Sequence, residues 1–139
     1  MLMDIGYINA VSIMEDLRYK LKKILSTAPV ETVENTEAYR ALENTMENLE
    51  DNIKTIKYFS KEARAGALRE LDNGKYEIHF NDGAISYPLS CGSSLEVYIN
   101  DVWIAGRVEH SNSKGGYYLH DGEENPALYQ GLKVRKRGE

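Results

Sequence analysis

The chain predicts an α+β fold in which an antiparallel helical hairpin is followed by a small antiparallel β-barrel. Three observations carry this. Apolar residues recur at helical spacing up to about residue 60, the spacing changes to alternation after Gly66, and turn-forming pairs punctuate the second half at short intervals. At 139 residues the chain suits one compact domain, or a small domain plus an accessory element. The predicted division is a helical hairpin over 1–62, a candidate dimerisation element, and a barrel over 63–139.

In the first half, Ala10, Met14, Leu17, Leu21 and Ile24 follow alternating steps of four and three, as do Leu42, Met46, Leu49, Ile53 and Ile56. Asp16, Arg18, Lys20, Lys22 and Lys23 fall largely on the opposite face of the first helix. Glu43, Glu47, Glu50 and Lys57 do the same on the second, so both helices are amphipathic. Between them, Pro29 disfavours helix at its own position and the one before, and Asn35 or Thr36 can cap the next helix. Two short helices bury little surface. Their stripes either pack as core on each other or on the barrel, or join two hairpins into a four-helix bundle.

In the second half, Tyr76, Ile78 and Phe80 alternate with Lys75, Glu77 and His79, and Leu95, Val97 and Ile99 alternate with Glu96, Tyr98 and Asn100. Asn73-Gly74 fits a two-residue hairpin turn, and Asn81-Asp82-Gly83 fits a three-residue turn ending in positive φ. Strands are expected near 67–72, 75–80, 84–89, 94–99, 102–110, 116–120 and 132–137, too few and short for a large sandwich. Arg69 falls among apolar neighbours, which points to a bulge or an edge there. A short charged hinge is expected from Ser60 to Gly66.

The hairpin at Asn100-Asp101 decides the fate of the aromatic residues. A two-residue loop sets Ile99 against Val102, Tyr98 against Trp103, Val97 against Ile104 and Glu96 against Ala105. Leu95, Val97, Ile99, Val102 and Ile104 then line the core, and Tyr98 and Trp103 stack on the other face with Arg107 and Glu109 further along. With Tyr118 from the Gly115-Gly116-Tyr117-Tyr118 turn and strand, these residues form a candidate protein-binding surface, since exposed Trp, Tyr and Arg are the residue types of interaction hot spots. The bland alternative is that the helices cover the pair as a second core. Ten tyrosines against two phenylalanines fit surfaces that stay in contact with water or a partner.

Net charge is −5, from 17 basic and 22 acidic side chains, which opposes nucleic-acid binding unless cations cluster. They cluster at the end, where Lys133, Arg135 and Arg137 share one side of the last strand and offer an alternative nucleic-acid site, or simply a charged edge. From Glu31 to Asp51 there are seven carboxylates and one arginine. Glu43, Glu47, Glu50 and Asp51 are the acidic surface this creates, suited to a basic cleft or to keeping a helix soluble. No apolar run approaches the roughly 18 residues that span a bilayer, and the start lacks a signal-peptide layout, so a cytoplasmic protein is expected. The single Cys91 agrees with a reducing compartment. Cys91 with His79, His110 or His120 forms no catalytic signature, the histidines lack paired zinc-ligand spacing, and Lys114-Gly115-Gly116 is only a turn. The expectation is a non-enzyme without cofactor or metal.

Asn73-Gly74-Lys75-Tyr76-Glu77, Leu89-Ser90-Cys91-Gly92, Leu95-Glu96-Val97, Trp103, Gly106-Arg107-Val108-Glu109-His110, Gly116-Tyr117-Tyr118-Leu119 and the stretch from Leu128 to Arg137 resemble, in this order, a short domain-of-unknown-function family of Gram-positive plasmids, phages and integrative elements. The likeness spans about residues 66–138. The same pattern looks like small barrels of the Src-homology-3 (SH3) and Tudor kind, an analogy of fold that transfers no site. The resemblance implies a role in maintenance, transfer or suppression of host defences. The last includes anti-CRISPR-like inhibition, in which acidic side chains occupy the groove of a host nuclease.

Overall fold

A computed structural model describes residues 3–138. The chain folds as two compact units, Met1–Glu62 and Ala63–Glu139.

The first unit is a hairpin-like pair of helices, α1 (Ile5–Leu25) and α2 (Val33–Ser60). The Asp4 carboxylate caps α1 by accepting the Gly6 amide at 2.8 Å, and Lys22 and Lys23 stand in its last turn, where the helix dipole favours cations. The cap of α2 is Thr32, three residues before the expected Asn35. Thr32 has the extended backbone a cap requires, and its hydroxyl accepts the Asn35 amide at 3.1 Å. Thr36 instead donates its hydroxyl to the Val30 carbonyl at 2.9 Å. The α2 stripe is as expected, with Ile53 buried and Leu42, Met46, Leu49 and Ile56 half-buried. On α1 the inward face turns toward Val11, which is buried, while Leu17 and Ile24 of the expected stripe stay exposed. The cause is that α1 is apolar on more than one side, so residue spacing alone leaves two adjacent faces to choose between.

The second unit is a six-stranded antiparallel sheet of β1 (Ala63–Glu70), β2 (Tyr76–Phe80), β3 (Ser94–Ile99), β4 (Val102–Ser111), β5 (Gly116–His120) and β6 (Lys133–Arg137), in the order β2-β1-β6-β3-β4-β5. The α+β fold is as expected, but the sheet is not closed, β2 and β5 being its two edges. It is barrel-like only in curling around one core, to which every strand contributes: Leu68, Ile78, Val97, Val108, Leu119 and Val134 are all essentially inaccessible. Leu89, Leu128 and Leu132 fill the remaining space from the loops. Burying each such side chain contributes about 1.5–3 kcal/mol.

Several local expectations change. The hinge shrinks to Lys61 and Glu62, because Ala63 already pairs with Arg137 of β6. Arg69 needs no bulge: it pairs regularly with Glu77 and points outward, in phase opposite to the buried Leu68. The turn at Asn73-Gly74 has three residues, since Leu71 and Lys75 still share a hydrogen bond of 2.8 Å, and Gly74 takes φ 84°. The turn at Asn81-Asp82-Gly83 has the expected form, with Gly83 at φ 93°.

The expected strand over 84–89 is absent as a ladder. Ser86 donates its amide to the Ile78 carbonyl, but its hydroxyl, not its carbonyl, receives the Ile78 amide at 2.8 Å. Two residues on, Pro88 has no amide to give, and Leu89 supplies the Tyr76 carbonyl instead at 2.8 Å. The segment still covers the outer edge of β2. Likewise, the Leu119 amide donates to Pro126 and the Leu128 amide to Tyr117, which covers β5. Both edges are thereby shielded from stray strand pairing.

The curl depends on two glycines. A Cβ at Gly106 would stand 2.5 Å from the His120 carbonyl oxygen, and one at Gly66 would collide with the backbone of His79 and Phe80. Gly106→Ala must push two hydrogen-bonded strands apart, so it is expected to destabilise the protein by about 1–3 kcal/mol in chemical denaturation. An unchanged midpoint would show that the strands have room to move.

Candidate binding face on the outer side of the sheet

The turn at Asn100 and Asp101, both with positive φ (52° and 64°), sets the register of β3 on β4. Ile99 meets Val102, Tyr98 meets Trp103, Val97 meets Ile104 and Glu96 meets Ala105, as the two-residue loop requires. Leu95 and Val97 enter the core, and Ile99 and Ile104 pack against it. Val102 does not, being 54% exposed at the free end of the hairpin. On the opposite face the Tyr98 and Trp103 rings lie 5.0 Å apart with their planes tilted by 53°. Both are half-buried.

Strand β6 lies beside β3 with Glu96 opposite Arg135 and Val97 opposite Val134. Alternation then brings Lys133, Arg135 and Arg137 onto the aromatic face. The Lys133 ammonium stands 4.7 Å from the Tyr98 ring centre and 5.7 Å from that of Trp103, and the Arg135 guanidinium lies 4.2 Å over Trp103. Cation–π contacts of this kind contribute about 0.5–1 kcal/mol at exposed sites. The aromatic pair and the basic strand, two separate surfaces in the sequence, are therefore one surface in the fold.

At its centre is Glu96, only 3% exposed although it projects from the outer face. Arg135 Nε donates to one carboxylate oxygen at 2.8 Å, and Arg137 Nε donates to the other at 2.8 Å. Burial pushes the Glu96 carboxyl upward, but the hydrogen bonds and charges of Arg137 and Arg135 outweigh it and hold the group below its ordinary value. One carboxylate thus accepts the Nε groups of both arginines. Among the described residues, no ion pair neutralises Lys133.

The other expected contact residues lie elsewhere on the same face. Arg107 is exposed and pairs across strands with Ser94 and His120, while Glu109 sits opposite Tyr118. Lys114 stands 5.3 Å over the Tyr118 ring. Trp103 and Glu109 are six positions apart on β4, roughly 20 Å along a strand, so Glu109 and Tyr118 form a second patch. Glu43, Glu47, Glu50 and Asp51 lie on α2, with Glu50 half-buried and the others exposed. Each histidine has a neighbour within its own unit: His79 bonds Glu77 at 2.9 Å, and His110 and His120 meet the edges of Tyr117 and Tyr118. Cys91 is exposed in the loop before β3. Among the described residues, no group of three or more His, Cys, Asp or Glu could hold a metal ion, and no helix is long and apolar enough to cross a membrane.

Glu96 is the residue that sequence reasoning missed as a site member. Its one signal was a carboxylate between two core residues, Leu95 and Val97, in a chain whose last strand carries cations at alternate positions.

Because folding lowers the Glu96 carboxyl, its contribution to stability is complete above the ordinary value of about 4.3 and disappears as pH falls through the lower folded value. Denaturation below about pH 4 should therefore show the wild type losing more stability than Glu96→Gln, so the two curves converge in acid. At neutral pH, Glu96→Ala removes the acceptor of both Nε groups of two half-buried arginines and is expected to cost about 1.5–3 kcal/mol. Parallel pH curves for wild type and Glu96→Gln would sink this assignment.

No curated protein matches the chain. The crystal structure of a protein from Ruminococcus gnavus is similar at 32% identity, over 52% of this chain and 99% of that one, with a TM-score of 0.42. Residues 68–136 match a family described as a domain of unknown function, DUF5348. The sheet unit, from the last residues of β1 to the penultimate residue of β6, is thus a DUF5348 domain.

Proposed function

We propose that the sheet unit is a non-catalytic binding module whose outer face grips an acidic segment of a protein partner. The observation that supports this most strongly is the placement of Lys133 and Arg135 over Tyr98 and Trp103, beside a carboxylate that already serves two arginines. The rings and Glu96 hold the cationic groups in place before a ligand arrives, which lowers the ordering cost of binding. Arg135 directs Nε to Glu96, so its terminal nitrogens can fork onto a carboxylate, and Lys133 adds a second charge. Aromatic side chains of the partner can lie against the exposed part of the Tyr98–Trp103 pair. Arg107, Glu109 and Tyr118 offer a second patch for a longer segment.

A chain of net charge −5 is a poor match for a long polyanion, and this favours a protein partner over nucleic acid. The family resemblance adds a setting: a cytoplasmic protein of a mobile element, similar in kind to SH3-like or Tudor-like binders and acting on a host protein. In an inhibitory version of that setting, Glu43, Glu47, Glu50 and Asp51 of α2 would engage a basic cleft of a nuclease.

Trp103 is the only tryptophan, so its fluorescence reports on this face directly. Titration with a synthetic peptide of alternating Glu and Tyr should shift its emission, and Lys133→Ala should weaken binding by about fivefold to tenfold, or 1–1.4 kcal/mol. Tyr98→Ala should weaken binding of the labelled peptide while unfolding remains cooperative. Tighter binding of single-stranded DNA or RNA, falling steeply as salt rises, would establish the nucleic-acid reading instead. Failure of the peptide to bind at millimolar concentration would overturn the proposal.

A further inference from the structure

We infer that the protein self-associates through α1, with two copies laying the row Ile13, Leu17, Lys20 and Ile24 antiparallel against each other about a two-fold axis. The helical unit is poorly buried on its own. Among its described residues only Val11 and Ile53 are buried, whereas Ile13, Leu17 and Ile24 are 72%, 45% and 53% exposed. Steps of four, three and four place the row along one side of α1, adjacent to the face turned toward α2. A two-helix unit with so small a core is marginal, and a second copy supplies the missing apolar surface.

The spacing of the row selects the occupant. Its steps are the same from either end, so a two-fold antiparallel contact sets every member of the row level with another member of it. In an antiparallel pair Ile13 meets Ile24 of the second copy, and Leu17 meets the methylene stem of its Lys20, whose ammonium can reach outward. Charge agrees with this orientation. Asp16 and Lys20, joined at 3.0 Å within one copy, flank the row. Antiparallel pairing brings Asp16 level with position 21 of the second copy, one residue from its Lys20, so each carboxylate can pair across the contact. A parallel arrangement would set Lys20 against Lys20.

Sedimentation of the full chain from about 1 to about 300 µM should show mass rising from monomer to dimer, the range expected for a small apolar contact. Ile13→Asp and Ile24→Asp, both at exposed positions, should raise the dissociation constant more than tenfold without changing helical circular dichroism. Asp16→Lys should weaken the dimer, and adding Lys20→Asp should restore it. In a Cys91→Ser background, Ile13→Cys with Ile24→Cys should form a disulfide-linked dimer on oxidation, and Ile13→Cys alone should not. A monomer at every concentration, a dimer indifferent to Ile13→Asp, or efficient crosslinking of Ile13→Cys alone would overturn the inference.

Discussion

The second unit depends on one carboxylate that is buried where solvent was expected. Glu96 joins strands that lie 39 residues apart in sequence, because Arg135 and Arg137 reach it from β6 while its own strand turns Leu95 and Val97 into the core. Taking a charge out of water costs several kcal/mol unless partners are placed well, and here both oxygens are met by guanidinium nitrogens at 2.8 Å. Such an arrangement acts as a registration device: a slip of β6 by one residue would put Val134 opposite the carboxylate and bring the arginines into the core. The apolar side chains drive the sheet to collapse, and Glu96 specifies which alignment it collapses into.

The same device shapes the outer face. Because Arg135 is anchored by Nε, its plane is held over Trp103, and the two-residue turn at Asn100 and Asp101 holds Tyr98 beside that ring. Lys133 completes the cluster from the next outward position of β6. The Lys133 and Arg135 cations stand over these rings, and this placement is the geometry on which the proposed binding role rests.

Local features were legible in the sequence and distant ones were not. The register of β3 on β4 followed from a loop too short to permit another, and the Asn81-Asp82-Gly83 turn followed from glycine's tolerance of positive φ. The segment 84–89 alternates like a strand, but Ser86 and Pro88 deny it a regular ladder, a failure visible only once the hydrogen bonds are counted atom by atom. The face of α1 was legible in part, since Ala10, Met14 and Leu21 are half-buried while Leu17 and Ile24 stay exposed on a helix that is apolar on two sides, and the cap at Thr32 was passed over for polar residues further on. Tyr98, Trp103, Lys133, Arg135 and Arg137 were each singled out, yet in two unrelated groups. No local pattern announces that β3 and β6 pair, and Glu96, read in isolation, was an ordinary outward residue of an alternating strand.

The account turns on Glu96 being ionised and held by both arginines in the folded protein. The most direct measurement is the titration of its side-chain carboxyl by carbon NMR, with the Trp103 indole signal followed in parallel. The account predicts a midpoint below the ordinary value of about 4.3, with the indole responding over the same range as the arginines let go. A Glu96 midpoint at or above the ordinary value, or an indole signal indifferent to it, would contradict the claim that this carboxylate organises the face.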